Sequence, residues 1–269
     1  MALFPARERN NLVRALNRDL RLLLHADPGR EQLLEYVRLF DPRARLGAAG
    51  RINVDNLREV YITRGSVIEP EVAAEAKVPA GMTVAFFAQN IQRGNVTVST
   101  KKEQYDTSVR LMNGLAIRLG GIAWPEASVM QEPLEARIYT AREVSAEQAY
   151  EVVARYAPGL APYDNPTFGP YGVSFWRTSD GQFEATHWPR GTTSLLRPLE
   201  PRSVGDLFFL HTNQLTAVRL KLSTPADRAD PGTARLLGEC ALEVAAVSGG
   251  VCVDQLGFRV GRPEELVFR

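Results

Sequence analysis

The sequence predicts an α+β fold made of two related strand–helix–strand units, and three observations carry the prediction. Helical periodicity and strand-like alternation interleave along the chain instead of falling into separate blocks. The order strand, helix, Gly-Gly, strand occurs twice, at Gly120–Gly121 and again at Gly249–Gly250. Asp180–Gly181, a strong two-residue hairpin signal, lies between two β-rich runs. The expected architecture is a tandem or pseudo-duplicated pair of split βαβ-like units. Their sheet is rich in antiparallel pairs with helices on one face. The expected divisions are an N-terminal helical hairpin at 1–41, a first βαβ-like unit at 57–130 and a second at 134–269.

Residues 6–25 place Leu12, Val13, Leu16, Leu20, Leu23 and Leu24 at helical spacing, with arginines elsewhere. Asp27 before Pro28 predicts an N-cap and first helical position, opening a second helix that runs to Phe40. Residues 41–56, containing DPRARLGAAG, read as a breaker-rich linker. From Leu57 the period shortens, and 58–63, 83–89 and 95–99 read as strands. A helix over 106–119 carries Val109, Met112, Leu115 and Ala116 on one face and stops at Gly120–Gly121, where a left-handed cap favours glycine. Ile122–Trp124 resumes as a strand.

The second half repeats this order with more punctuation. Residues 134–140 alternate as a strand, and Ser145 with Gln148 forms a capping box for a helix over 146–156. Residues 171–188 read as a hairpin around Asp180–Gly181. Residues 218–222 alternate again, Asp230–Pro231 caps a helix carrying Leu236, Cys240, Val244 and Val247, and 251–253 closes as a strand.

Composition bounds the function. The 269 residues carry a net charge of +1, with 45% hydrophobic and 23% charged residues, which predicts a folded chain and argues against a whole-molecule polyanion binder. The N-terminus lacks the apolar core of a signal peptide, and no run approaches the length of a membrane span. A cytoplasmic protein is expected. Cys240 and Cys252 read as small core hydrophobes rather than a disulfide.

The catalytic motifs are weak. His25, His187 and His211 are not spaced with further ligands as a metal site requires, and no phosphate-cradling or dinucleotide-binding glycine loop is present. Ser99 and Lys102 form an isolated Ser-x-x-Lys at an expected strand end, without companion motifs. Glu71 with Glu75, and Glu264 with Glu265, read as solvated charges. The chain is therefore expected to be non-enzymatic, with neither cofactor nor metal. An enzyme whose cleft is assembled from distant residues is the alternative.

Residues 134–269 resemble the C-terminal domain of the bacterial cell-division protein family ZipA. The resemblance rests on order and texture: the strand LEARIYT, the helix SAEQAYEVVARY, the hairpin YGVSFWRTSDGQFEATHW and the crossing segment LLRPLEPRSVGD. The strand AVRLKLS and the stretch TARLLGECALEVAAVSGGVCVDQ follow. The family carries an N-terminal membrane anchor and a Pro/Gln-rich linker, where this sequence has the expected helical hairpin and a partial second copy. The resemblance implies a split βαβ binding module whose open sheet face holds the C-terminal tail of the tubulin-like protein FtsZ.

The hairpin turn predicts which side chains share that face. With Asp180–Gly181 as the loop, Arg177 falls opposite Glu184, Phe175 opposite Thr186 and Val173 opposite Trp188. A cross-strand Arg–Glu pair is costly beneath a helix layer, so this face is expected to be open. Ser174, Trp176, Phe183, Ala185 and His187 then belong to the other face, with Trp176 and Phe183 in the core. Alternation on the neighbouring strands adds Arg137, Tyr139, Arg219 and Lys221 to the open face. The expected partner-binding surface is thus Tyr139, Val173, Phe175 and Trp188 among Arg137, Arg177, Arg219 and Lys221. A protein tail would bury its apolar side on the rings while the cations orient it. Single-stranded nucleic acid could stack on the same rings, and a third outcome is that the first half of the chain covers the face. On this reading Phe175→Ala and Trp188→Ala leave thermal stability nearly unchanged.

Overall fold

The computed structural model describes residues 3–55, 60–90, 98–193 and 214–266. It is α+β, and the chain divides into two compact units, 1–127 and 128–269. In unit 1 the elements are α1 (Leu3–Arg18), β1 (Arg21–Leu24), α2 (Arg30–Phe40), β2 (Arg45–Leu46), β3 (Ile52–Asp55) and β4 (Val60–Ile62). They continue with β5 (Ser66–Val67), α3 (Pro70–Glu75), β6 (Val84–Asn90), α4 (Val98–Leu119) and β7 (Ile122–Trp124). The strands pair antiparallel in the order β2-β3-β4-β6-β1-β7, with β5 added beside β6.

The first difference from expectation is at the N-terminus. The helix stops at Arg18, and the Arg-Leu-Leu-Leu run that continued its periodicity is the inner strand β1, paired with both β6 and β7. Leu22, Leu23 and Leu24 are all buried, so the strand loses the alternation that would distinguish it from a helix. Residues 1–41 are therefore not a helical hairpin, because they supply a strand inside the sheet. The second helix begins at Arg30 rather than Pro28. Gly29 is its N-cap with φ 80°, and the Asp27 carboxylate accepts from the Gly29 N–H at 2.9 Å. The expected linker at 41–56 contains β2 and β3. Of the expected strand at 95–99, residues 95–97 lie outside the described residues, while Val98 and Ser99 open α4.

Unit 1 is covered on both faces. Leu12, Val13 and Leu16 of α1, with Val72 and Ala73 of α3, pack on Leu23, Ala85 and Phe87. Leu22 and Leu24 point to the opposite face, where α4 lies against β1 and α2 lies against α4.

Unit 2 comprises β8 (Pro133–Thr140), α5 (Ala146–Tyr156), β9 (Ala161–Pro162), β10 (Ser174–Arg177) and β11 (Phe183–Trp188). It is completed by β12 (Thr216–Pro225), α6 (Pro231–Ser248) and β13 (Val251–Asp254). Its order, read from the other edge, is β9-β10-β11-β12-β8-β13, every pair antiparallel. Strand for strand this is the order of unit 1. In each unit the first strand lies between the two strands joined by the last helix. The insert β5–α3 and the leading α1 are particular to unit 1.

The Gly-Gly pairs do the same work in both places. Gly120 and Gly249 adopt φ 65° and 64°, ending α4 and α6 in left-handed turns. Gly121 and Gly250 each donate back to the helix, to Ala116 O and Ala245 O, both at 2.8 Å. A Cβ at Gly121 would fall on the Leu23 carbonyl oxygen, and one at Gly250 would lie 2.8 Å from the Tyr139 carbonyl oxygen. Leu23 and Tyr139 occupy matching places on the inner strands β1 and β8, paired with Ile122 and Val251.

In unit 2 the helices lie on the face carrying Ala136, Ile138, Trp176 and Leu220. Thr140 Oγ1 donates to Ser248 O of α6 at 2.9 Å, and the Tyr150 ring of α5 sits 5.8 Å from that of Trp176. The Ser145–Gln148 capping box forms with both reciprocal bonds, and Asp230 caps α6 through Thr233 N. Cys240 and Cys252 are buried free thiols. Burial pushes Cys240 up to about 12 and raises Cys252 as well. No described helix is long and apolar enough to cross a membrane.

Candidate functional site

The hairpin register is the expected one: Arg177 opposite Glu184, Phe175 opposite Thr186 and Trp176 opposite Ala185. Pairing continues through β12 and β8, so one face carries successive rows across four strands. The outermost row reads Glu135, Lys221, Glu184, Arg177, alternating in sign. The next holds Arg137, Arg219, Thr186 and Phe175, and the third holds Tyr139, Ala217 and Trp188. The rows hold seven of the eight sequence-predicted residues on the expected side of the sheet, and Val173, just before β10, packs with them. Their exposure is another matter.

Tyr139, Val173, Phe175 and Trp188 are 1%, 5%, 6% and 3% exposed, so the aromatic part of this face is not open. They form one cluster with Leu215, Ala217 and Val253, and Tyr163 and Phe168 pack onto it. Both of those rings come from the segment between β9 and β10, in the same unit. Phe168 meets Trp188 edge-on at 5.3 Å and Phe175 at 6.4 Å, while Tyr163 stands 5.6 Å from Phe175. Tilted and edge-on contacts of this kind are the favourable aromatic geometries. The rings that base stacking would require are thus enclosed. Phe175→Ala and Trp188→Ala are core truncations, contrary to the expectation of unchanged stability. The other face agrees more closely: Trp176 is buried, Phe183 half-buried, and His187 sits inside with Nε2 2.7 Å from Val144 O.

The cations are engaged with carboxylates. Glu184 pairs with Arg177 and reaches Lys221 Nζ at 3.8 Å, and Glu135 pairs with Arg137 and stands 3.8 Å from Arg219 Nε. The Glu184 charge raises the Arg177 guanidinium above its ordinary value. Arg177 also covers the Tyr163 ring at 4.6 Å, linking the charged rows to the covering segment. Glu135 was not singled out in the sequence. Its place two residues before Arg137 on an alternating strand was the available signal.

A cleft of about 830 Å³ opens where the covering segment leaves α5 and β10. Tyr150, Tyr163, Phe175 and Trp176 contribute aromatic surface to it. Glu147, Glu151 and Asp164 contribute carboxylates, and the described lining includes no Lys or Arg. Local structure fixes the arrangement. The capping box sets the first turn of α5, projecting Glu147, Tyr150 and Glu151 toward the cleft, and Tyr150 donates its hydroxyl to Leu160 O at 3.0 Å. Hydrogen bonds from its own backbone N–H and from the Ser145 hydroxyl hold the Glu147 carboxyl below its ordinary range, so it stays ionised at neutral pH. Val173 and Phe175 are the two sequence-predicted residues that line this cleft. Arg137, Tyr139, Arg177, Trp188, Arg219 and Lys221 do not.

The sequence-weighed catalytic residues are scattered. His25 lies 3.0 Å from Gly81 O, and His211 is outside the described residues. Ser99 and Lys102 lie in the first turns of α4 rather than at a strand end. Glu75 of α3 pairs with Arg9, Glu264 with Arg235 and Glu265 with Arg262. No family model, curated protein or solved structure matches the chain.

Proposed function

We propose that the chain is a cytoplasmic, non-catalytic adaptor that binds a peptide segment of a partner protein in the aromatic cleft of unit 2. The observation that supports this reading is that four aromatic and three acidic residues line one cleft of about 830 Å³, a size suited to a few side chains. A Lys or Arg side chain entering it meets ring faces and anionic groups together, which favours a cation both by quadrupole and by charge. A neighbouring apolar residue finds the Tyr150 and Trp176 rings, 5.8 Å apart on the helix side of the sheet. The favoured segment is therefore cationic and apolar, the reverse of the acidic tail that unpaired cations on an open face would select.

The resemblance to ZipA-type domains names an FtsZ-type C-terminal tail as the partner to try first. Docking on the aromatic sheet face in that manner requires Tyr163 and Phe168 to be displaced, whereas the cleft requires no rearrangement. The test is fluorescence anisotropy of the full chain with three labelled peptides: an FtsZ-type tail, a Lys/Leu-containing segment, and the same segment with Glu for Lys. The cationic apolar peptide is expected to bind saturably, and Glu147→Lys with Glu151→Lys to weaken it about ten-fold or more, with Tm lowered only by the small cost of a cation in the first turn of α5. Equal binding of the Glu-containing peptide, or full affinity in the double variant, removes the reading. A tail peptide that binds only when Tyr163 and Phe168 are replaced by Ala would move the site back to the sheet face.

A further inference from the structure

Because the two units share one strand order, each place in unit 2 has a counterpart in unit 1. The counterpart of the α5/β10 cleft is the space between α2 and β3, and a cleft is present there too, about 780 Å³ in volume. Its chemistry is opposite in sign. Leu33, Ile52 and Phe86, all buried, form an apolar floor. Arg30 and Arg64 stand at its walls, and neither guanidinium has an ion-pair or hydrogen-bond partner among the described residues. Asp27, the one carboxylate in the described lining, already accepts from the Gly29 N–H.

The remaining wall is built to stay close to that floor. A Cβ at Gly65 would meet the Phe86 ring at 3.0 Å, and one at Gly47 would meet the Asn53 side chain at 2.6 Å. Glycine at Gly65 lets backbone line the cavity where a side chain would press on the Phe86 ring, and Gly47 leaves room for the Asn53 side chain beside it. Arg30 extends along Gly50, whose missing Cβ would lie 3.5 Å from its guanidinium.

We propose that this cleft is a binding site for a small oxyanion, phosphate or carboxylate, carried on a compact apolar body. The apolar part lies on Leu33, Ile52 and Phe86, and the anion is held between Arg30 and Arg64. The volume is that of a small-molecule pocket, and two guanidiniums against the single carboxylate of Asp27 leave the lining net cationic and suit planar, multidentate recognition of an oxyanion. The site is independent of the peptide cleft in unit 2, so either assignment stands or falls alone.

The test is calorimetric titration of the full chain with phenyl phosphate, benzoate, inorganic phosphate and neutral phenol. At least one of the two aryl anions is expected to bind saturably, with inorganic phosphate and phenol each about ten-fold weaker or worse. Whichever aryl anion binds more tightly identifies the headgroup. Arg30→Gln with Arg64→Gln is expected to weaken that binding about ten-fold or more while the thermal melt stays as in the wild type, since both side chains are exposed. Glu147→Lys with Glu151→Lys is expected to leave it unchanged. The proposal is overturned if neither aryl anion saturates by about 10 mM, since a dissociation constant above that value corresponds to less than about 3 kcal/mol of binding. It is equally overturned if phenol or inorganic phosphate binds as well as the aryl anions, or if the arginine variant retains full affinity.

Discussion

Units 1 and 2 lay out their strands in the same order, yet they finish the second face of the sheet differently. In unit 1 that face is closed by helices, with α1 and α3 packing their leucines and valines onto Leu23, Ala85 and Phe87. In unit 2 the matching face has no helix against it among the described residues. An aromatic-bearing segment seals one part, and alternating charges occupy the rest. Strand order follows from turns, Gly-Gly pairs and alternation, which both halves possess. What covers the spare face is decided by segments outside that common pattern, and there the units diverge in chemistry.

The comparison can be broken most directly at the spare faces. Phe175→Ala or Trp188→Ala in unit 2, and Leu23→Ala in unit 1, should each cost about 3–4 kcal/mol in chemical denaturation. A cost below about 1 kcal/mol at Phe175 would mean that the covering segment does not seal the cluster. Next come the Gly-Gly pairs. Gly121→Ala and Gly250→Ala press a methyl onto a strand carbonyl and should each cost about 3 kcal/mol, read from denaturation midpoints. The left-handed partners Gly120→Ala and Gly249→Ala should cost about 1 kcal/mol.

Smaller effects sharpen the contrast between the first helices of the crossings. Ser145→Ala removes the α5 capping box and should cost about 1 kcal/mol. Gly29→Ser should bring no matching gain to α2, because φ is 80° there and the side chain adopts that backbone poorly. His187 adds a pH dependence particular to unit 2. Burial lowers its pKa, against the raising effects of the Val144 carbonyl and Glu147. The folded state therefore binds the proton less readily than the unfolded state. Stability is full above the unfolded value of about 6.5 and falls as pH drops toward the lowered folded value. A Tm series from pH 8 to 5, compared with His187→Gln, should show part of that fall disappear in the variant. Smallest of all, Glu184→Gln should change stability by less than about 1 kcal/mol, since Arg177 is half exposed.

Much of unit 2 was legible in the sequence because its punctuation is local. Ser145 with Gln148, Asp180–Gly181, Asp230–Pro231 and Gly249–Gly250 each fix an element end within a few residues. The alternation of Arg137, Arg219 and Lys221 then assigned the faces correctly. Unit 1 was harder for physical reasons. A short strand buried on both sides, such as β1, presents leucines with no polar alternation and merges with the preceding helix. In 41–56 the glycines and alanines masked the inward Ile52 and Val54 of β3. At the candidate site the faces were readable but the cover was not. Residues 161–173 have the Pro, Gly and Asn content of a loop, and only Tyr163, Phe168 and Val173 among them indicate side chains that join the aromatic cluster. The clefts join residues from separate elements, so no local pattern announces them.

The segment between β9 and β10 is a short stretch of chain whose rings are anchored while its backbone runs along the surface, with Pro166, Thr167 and Gly169 to Gly172 exposed. A single protease cut there would leave every sheet pairing of unit 2 in place and yet release Phe168 from Trp188. The molecule would keep its circular dichroism spectrum while acquiring a sticky, dye-binding patch. Exposed backbone over anchored rings thus makes this stretch a place in unit 2 where one cut would uncover the aromatic cluster.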